Sequence, residues 1–198
     1  RRTVLPLVAL STVLPSLAEA SERRFTYTYE SSVLNPGNLE LELWSSLRAG
    51  RASFYNRMEQ RLEVELGVAQ GLQTSLYLNT KAVTKAEGND RVTEFEFAGV
   101  SNEWKYKLTD PVADPVGSAL YVEGTLSTGE AELEGKIILD KRIDNLLLAL
   151  NLVGEYEVVF EHPETETEVV FEADLALGYF FTTAFFAGLE GAEPHRLR

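Results

Sequence analysis

The stretch Glu164-Thr-Glu-Thr-Glu-Val-Val-Phe-Glu-Ala-Asp-Leu-Ala-Leu-Gly-Tyr-Phe-Phe181 decides the fold. Glu164, Glu166, Glu168, Glu172 and Asp174 fall on one side of an extended chain. Thr165, Thr167, Val169, Phe171, Leu175, Leu177, Tyr179 and Phe181 fall on the other. A period of two residues is the signature of a β-strand with one wet and one greasy face. An ordinary soluble strand runs about 5–6 residues, whereas a strand crossing a bilayer at a tilt needs about 9–11. This one exceeds both, and its length points to a membrane barrel.

The same alternation recurs along the chain. Leu39, Leu41, Leu43 and Leu47 oppose Glu40 and Glu42, with Trp44 on the acidic parity where a strict lipid-out strand would not put it. In Phe54–Gly67, Arg57, Glu59, Arg61, Glu63 and Glu65 oppose Met58, Leu62, Val64 and Leu66. Leu72–Asn79 alternates Gln73, Ser75 and Tyr77 with leucines, and Lys81–Arg91 reads as the longest loop. In Val92–Leu108 the greasy parity switches between Phe97 and Val100, so a β-bulge is predicted at Ala98-Gly99. Further strands are predicted at Val116–Leu126, Glu130–Asp140 and Leu146–Phe160, the last with a helix as the alternative over Leu146–Leu150. Turns fall at Thr109–Pro115, Ser127–Gly129 and Lys141–Asn145, and a ninth strand starts in Thr183–Leu189. Short connections make an all-β, antiparallel up-and-down meander, read as a transmembrane β-barrel of at least nine strands.

Residues 1–20 read as a signal peptide: Arg1-Arg2, a short apolar core from Val4 to Leu17, and Ala18-Glu-Ala20 before Ser21. Residues 21–38 form an extended segment closed by the turn Asn35-Pro-Gly-Asn38, and residues 39–198 form the barrel domain. The chain opens on Arg1 and ends in Gly191–Arg198 without a recognisable strand, so the barrel is expected to be incomplete at its C-terminus. The expected location is the outer membrane.

A net charge of −13 argues against nucleic acid, which needs clustered Lys and Arg. The absence of cysteine excludes disulfides, thiolate metal sites and a lipid-anchor cysteine. His162 and His195 have no nucleophile placed beside them, and Glu87-Gly-Asn-Asp90 reads as a turn rather than a calcium loop. The pairs Glu40/Glu42, Glu63/Glu65, Glu94/Glu96 and Glu132/Glu134 have the spacing of a solvated face. No catalytic, cofactor or metal residues are predicted. Arg57, Glu59, Arg61, Glu63, Glu65 and Tyr77 are the expected lumen wall, with Lys105, Lys107 and Lys136 as counter-charges.

Phe25-x-Tyr27-x-Tyr29-Glu30, Pro36-Gly37, Glu40-x-Glu42-x-Trp44, Arg61-x-Glu63-x-Glu65-x-Gly67 and Leu72-Gln73-x-Ser75-x-Tyr77 together resemble the start of a largely uncharacterised family of bacterial outer-membrane barrels. That family is similar to the phenol-degradation (meta-pathway) outer-membrane proteins. The resemblance implies a barrel embedded in outer-membrane lipid and brings no catalytic residues. The expected function is passive passage of small cationic or neutral solutes through an acidic lumen. The alternatives are a soluble periplasmic barrel that binds a ligand as lipocalins do, and a structural barrel with a plugged lumen.

Overall fold

The computed structural model describes residues 23–49, 54–87, 90–160 and 165–197. Among them are nine strands: β1 (Leu39–Ala49), β2 (Tyr55–Ala69), β3 (Leu72–Glu87), β4 (Asp90–Thr109), β5 (Gly117–Ser127), β6 (Glu130–Ile143), β7 (Leu146–Phe160), β8 (Thr165–Phe180) and β9 (Phe186–Leu197). Each pairs antiparallel with its sequence neighbour, in the order β1 to β9, and the sheet curls into part of a barrel. No helix occurs among the described residues, so Leu146–Leu150 is strand. Its apolar run is set by two-residue alternation against β6 and β8, which overrides the helix propensity of leucine.

Burial is inverted relative to a soluble sandwich. Gln73, Ser75, Ser101, Glu103, Asn151 and Asp174 are buried, while Leu41, Leu76, Leu133, Leu152, Leu175 and Leu189 on the opposite parity are exposed. Leu62, Ile137 and Phe171 are also exposed, and they do not meet in a packed centre. The apolar face is convex and the polar face concave.

The bulge falls where the change of parity puts it. Thr80 pairs with Phe97 and Asn79 with Gly99, leaving Ala98 without an opposite residue. Gly99 has φ +118°, and a side chain there would collide with the Leu126 carbonyl. The bulge returns Ser101, Glu103 and Lys105 to the concave face.

Three expectations fail at element ends. Lys81–Arg91 is not a loop: among the described residues, Lys81–Glu87 continues β3 and Asp90 and Arg91 begin β4. Cross-strand pairing makes that charged stretch extended, through Lys81–Glu96 at 2.9 Å, Lys85–Glu94 at 3.8 Å and Thr84–Thr93 at 3.0 Å. Lys141–Ile143 belongs to β6, so the turn is only Asp144-Asn145, with Asp144 at φ 53°. Gly191–Leu197 lies in β9 against Val169–Leu175, while the ninth strand starts at Phe186, inside the stretch expected for it.

Nine antiparallel strands leave β1 and β9 running in the same direction, with no pairing between them among the described residues. An all-antiparallel closure therefore needs an odd number of strands between them. The predicted signal peptide, residues 1–20, lies outside the described residues.

Replacing Gly99 by alanine forces a strained backbone angle and a clash, and should cost about 1–3 kcal/mol. Gly124, which has open space around it, should accept alanine with little change. Denaturant unfolding of the two variants in parallel checks the difference.

Candidate functional site

The concave face is occupied by residues 23–38, a strap that joins no strand ladder. Its alternating aromatics suggested a short extended piece, but side chains rather than a neighbouring strand satisfy its backbone. Asn151, 0% exposed on β7, accepts from Tyr29 N at 2.6 Å and donates Nδ2 to Tyr29 O at 2.9 Å, imitating a strand partner. Glu190 on β9 accepts from the consecutive N–H groups of Thr26, Tyr27 and Thr28 at 2.9, 2.8 and 3.1 Å. Gln73 on β3 accepts from Leu34 N at 2.8 Å, and Gly37 N donates to Gly67 O at 2.8 Å. Polar side chains at inward positions thus hold a chain that would otherwise carry buried unpaired amides.

The strap also supplies the apolar filling. Phe25 packs among Leu147, Ala149 and Ala176, beside Phe180 and Phe186. Gly178 and Gly188 face each other across β8 and β9, and a side chain at Gly188 would sit 2.7 Å from the Phe25 ring. Gly188 makes room for Phe25, and Gly178 for the Phe186 ring beside it. Tyr29 joins Ala119, Tyr121 and Ile138, with the two tyrosine rings edge-on at 5.1 Å.

Around this filling stands a charged wall. Arg61 forms an ion pair with Glu123 and stacks 3.7 Å over the Tyr77 ring. Those partners lie on β2 and β5; in a flat sheet three strand spacings of about 4.8 Å would hold them about 14 Å apart, so the pair reports the curl. The Tyr77 hydroxyl donates to Glu103 and the Tyr121 hydroxyl to Glu123. Lys136 binds Glu134 at 3.0 Å and lies 4.3 Å over Tyr29. Arg23 sits 4.1 Å over Tyr29 and 4.6 Å over Trp44, whose Nε1 donates to Glu42 at 2.7 Å. These contacts explain the inward Trp44.

All six expected wall residues stand on the concave face, but not as one open surface. Arg57 pairs with Glu59, away from the strap contacts, whereas Arg61, Glu63 and Tyr77 lie beneath the strap. At the rim Lys107 binds Asp110 at 2.7 Å, and Asp110 also accepts from Val112 N and Ala113 N. The Lys107 hydrogen bond first, then those two amides, hold the Asp110 carboxyl well below the usual aspartate range. A cleft of about 190 Å³ separates this turn from Arg24, Glu30 and Phe180. His162 lies outside the described residues, and His195 occupies a β9 register position opposite Phe171. Among the described residues, Glu42, Glu63 and Glu65 bring together carboxylate oxygens that could hold a metal.

The missed residues are Asn151, Glu190, Gln73, Glu103 and Glu123. Asn151 carried a signal: a lone amide on the inner parity of Leu148-Ala-Leu-Asn-Leu-Val153 demands a buried partner.

Fold and site together define an antiparallel up-and-down β-meander of barrel type, with a polar concave face filled by its own N-terminal strap. The chain belongs to the family described as "Family of unknown function (DUF6662)", whose pattern matches residues 17–195. Comparison with curated proteins and with solved structures returned no match.

Substituting Asn151 by alanine orphans Tyr29 N and O, each at a cost of about 1–3 kcal/mol, so roughly 2–6 kcal/mol of stability should be lost. Denaturant unfolding measures the loss. Faster trypsin cleavage at Arg23 and Arg24 should report release of the strap.

Proposed function

We propose that this chain forms the wall of an outer-membrane β-barrel whose convex face meets lipid. Its acidic concave face, in this reading, lines a narrow route for small cationic or neutral solutes. The inverted burial carries the proposal. Large apolar side chains on every strand are exposed, while Glu63, Gln73, Glu103, Glu123, Asp140, Asn151 and Asp174 on β2 to β8 are buried. A monomer in water rarely exposes a contiguous apolar patch beyond about 300–600 Å², whereas a lipid-facing band has this composition. The signal peptide read in residues 1–20 and the resemblance read in residues 25–78 point the same way.

Selectivity follows from charge. Glu42, Glu59, Glu63, Glu65, Glu103, Glu123 and Asp174 exceed Arg57, Arg61, Lys105 and Lys136 on the concave face, so anions are repelled. The strap favours a second reading, a barrel whose lumen is plugged and whose role is structural. Phe25, Thr28, Tyr29, Glu30 and Ser31 are all buried within the curl.

Purified full-length protein should sediment with membranes, need detergent for extraction and migrate differently on gels before and after heating. Recovery in buffer without detergent contradicts the membrane reading. In planar bilayers the wild type should conduct weakly, and Glu190→Gln, which loosens the strap, should raise a cation-selective conductance. Anion preference rejects the acidic route; a loosened strap that leaves the bilayer silent favours the structural plug.

A further inference from the structure

We infer that the concave ends of β1 and β2 hold a hard divalent cation of the Ca²⁺ type on Glu42, Glu63 and Glu65. One carboxylate oxygen from each lies within 4.8 Å of the other two. Small side-chain rotations bring such a set to the about 2.3–2.6 Å that a Ca²⁺ ion needs. The donors are all carboxylate oxygens with no nitrogen or sulfur, which selects Ca²⁺, Mg²⁺ or Mn²⁺ over softer metals.

A triad of acids alone would not justify a site. Glu63 is 1% exposed, and its Oε2 is buried with no hydrogen-bond partner. Oε1 of Glu42 is in the same state, while its Oε2 is fixed by Trp44 Nε1 at 2.7 Å. This is the arrangement of a second-shell donor that orients a ligating oxygen. Glu42 also stands directly opposite Glu63 in the β1–β2 ladder, where like charges repel unless something lies between them. Arg23, seated over Tyr29 and Trp44, also feels the Glu63 charge, and Lys105 is shared between Glu65 and Glu103, so these two cations are counter-charges that the triad already has. A shared proton is the competing explanation, and it predicts no metal dependence.

The site depends only on the concave geometry, so it stands or fails whether or not the convex face meets lipid. Terbium titration of the full chain in detergent tests it, because the Trp44 indole lies against Glu42 and sensitises a bound lanthanide. The expected result is saturable luminescence displaced by Ca²⁺. Glu63→Gln should weaken the apparent affinity by at least about 10–100-fold, while Glu94→Gln, on the exposed hairpin, should leave it unchanged. If Glu63→Gln does not fold, Glu65→Gln provides the same readout. Absence of saturable luminescence overturns the site. So does an affinity that the folded Glu63 or Glu65 variant leaves at the wild-type value, which would assign the ion to surface acids.

Discussion

A wall one sheet thick has nothing behind it, and the rest of the structure follows from that constraint. Residues on the concave parity cannot pack against a second sheet. Each polar group there must find a partner across the curl or on the strap. The Asn151–Tyr29 amide pair is the clearest instance, because it satisfies three buried groups with two hydrogen bonds and fixes where the strap lies. Phe25 and Tyr29 then enter their sockets, and both apolar clusters of the concave side form around them.

The strap also joins the two edges that the ladder leaves unpaired. Arg23 reaches Trp44 on β1, while Thr26–Thr28 are gripped by Glu190 on β9. The same segment therefore fills the curl and spans its seam. Its carboxylate grip resembles an anion nest made from three successive amides. Under the proposed membrane reading, a solute route and a plug are two states of one element, distinguished by whether that grip holds.

Much of the fold could be read from alternation alone. The parity change between Phe97 and Val100 located the bulge, and the six wall residues on β2 and β3 all face inward. Alternation says nothing about contacts between distant strands. Arg61 meets Glu123, and Tyr29 meets Asn151, across 62 and 122 residues of chain. A charged strand end hides for a related reason: Lys81 and Lys85 look like loop residues until the hairpin pairs them with Glu96 and Glu94. Gly178 and Gly188 interrupt apolar strands because an aromatic ring needs the space.

The central claim is the direction in which the oily face points. The chain has no cysteine, so single nitroxide labels can be placed at will. The decisive measurement is the accessibility of labels at Leu133 and Glu134, neighbours on β6, to oxygen and to a polar relaxation agent in reconstituted bilayers. Lipid contact predicts that the label at 133 is relaxed by oxygen and shielded from the polar agent, with the opposite pattern at 134. Equal exposure of both labels to the polar agent would contradict it.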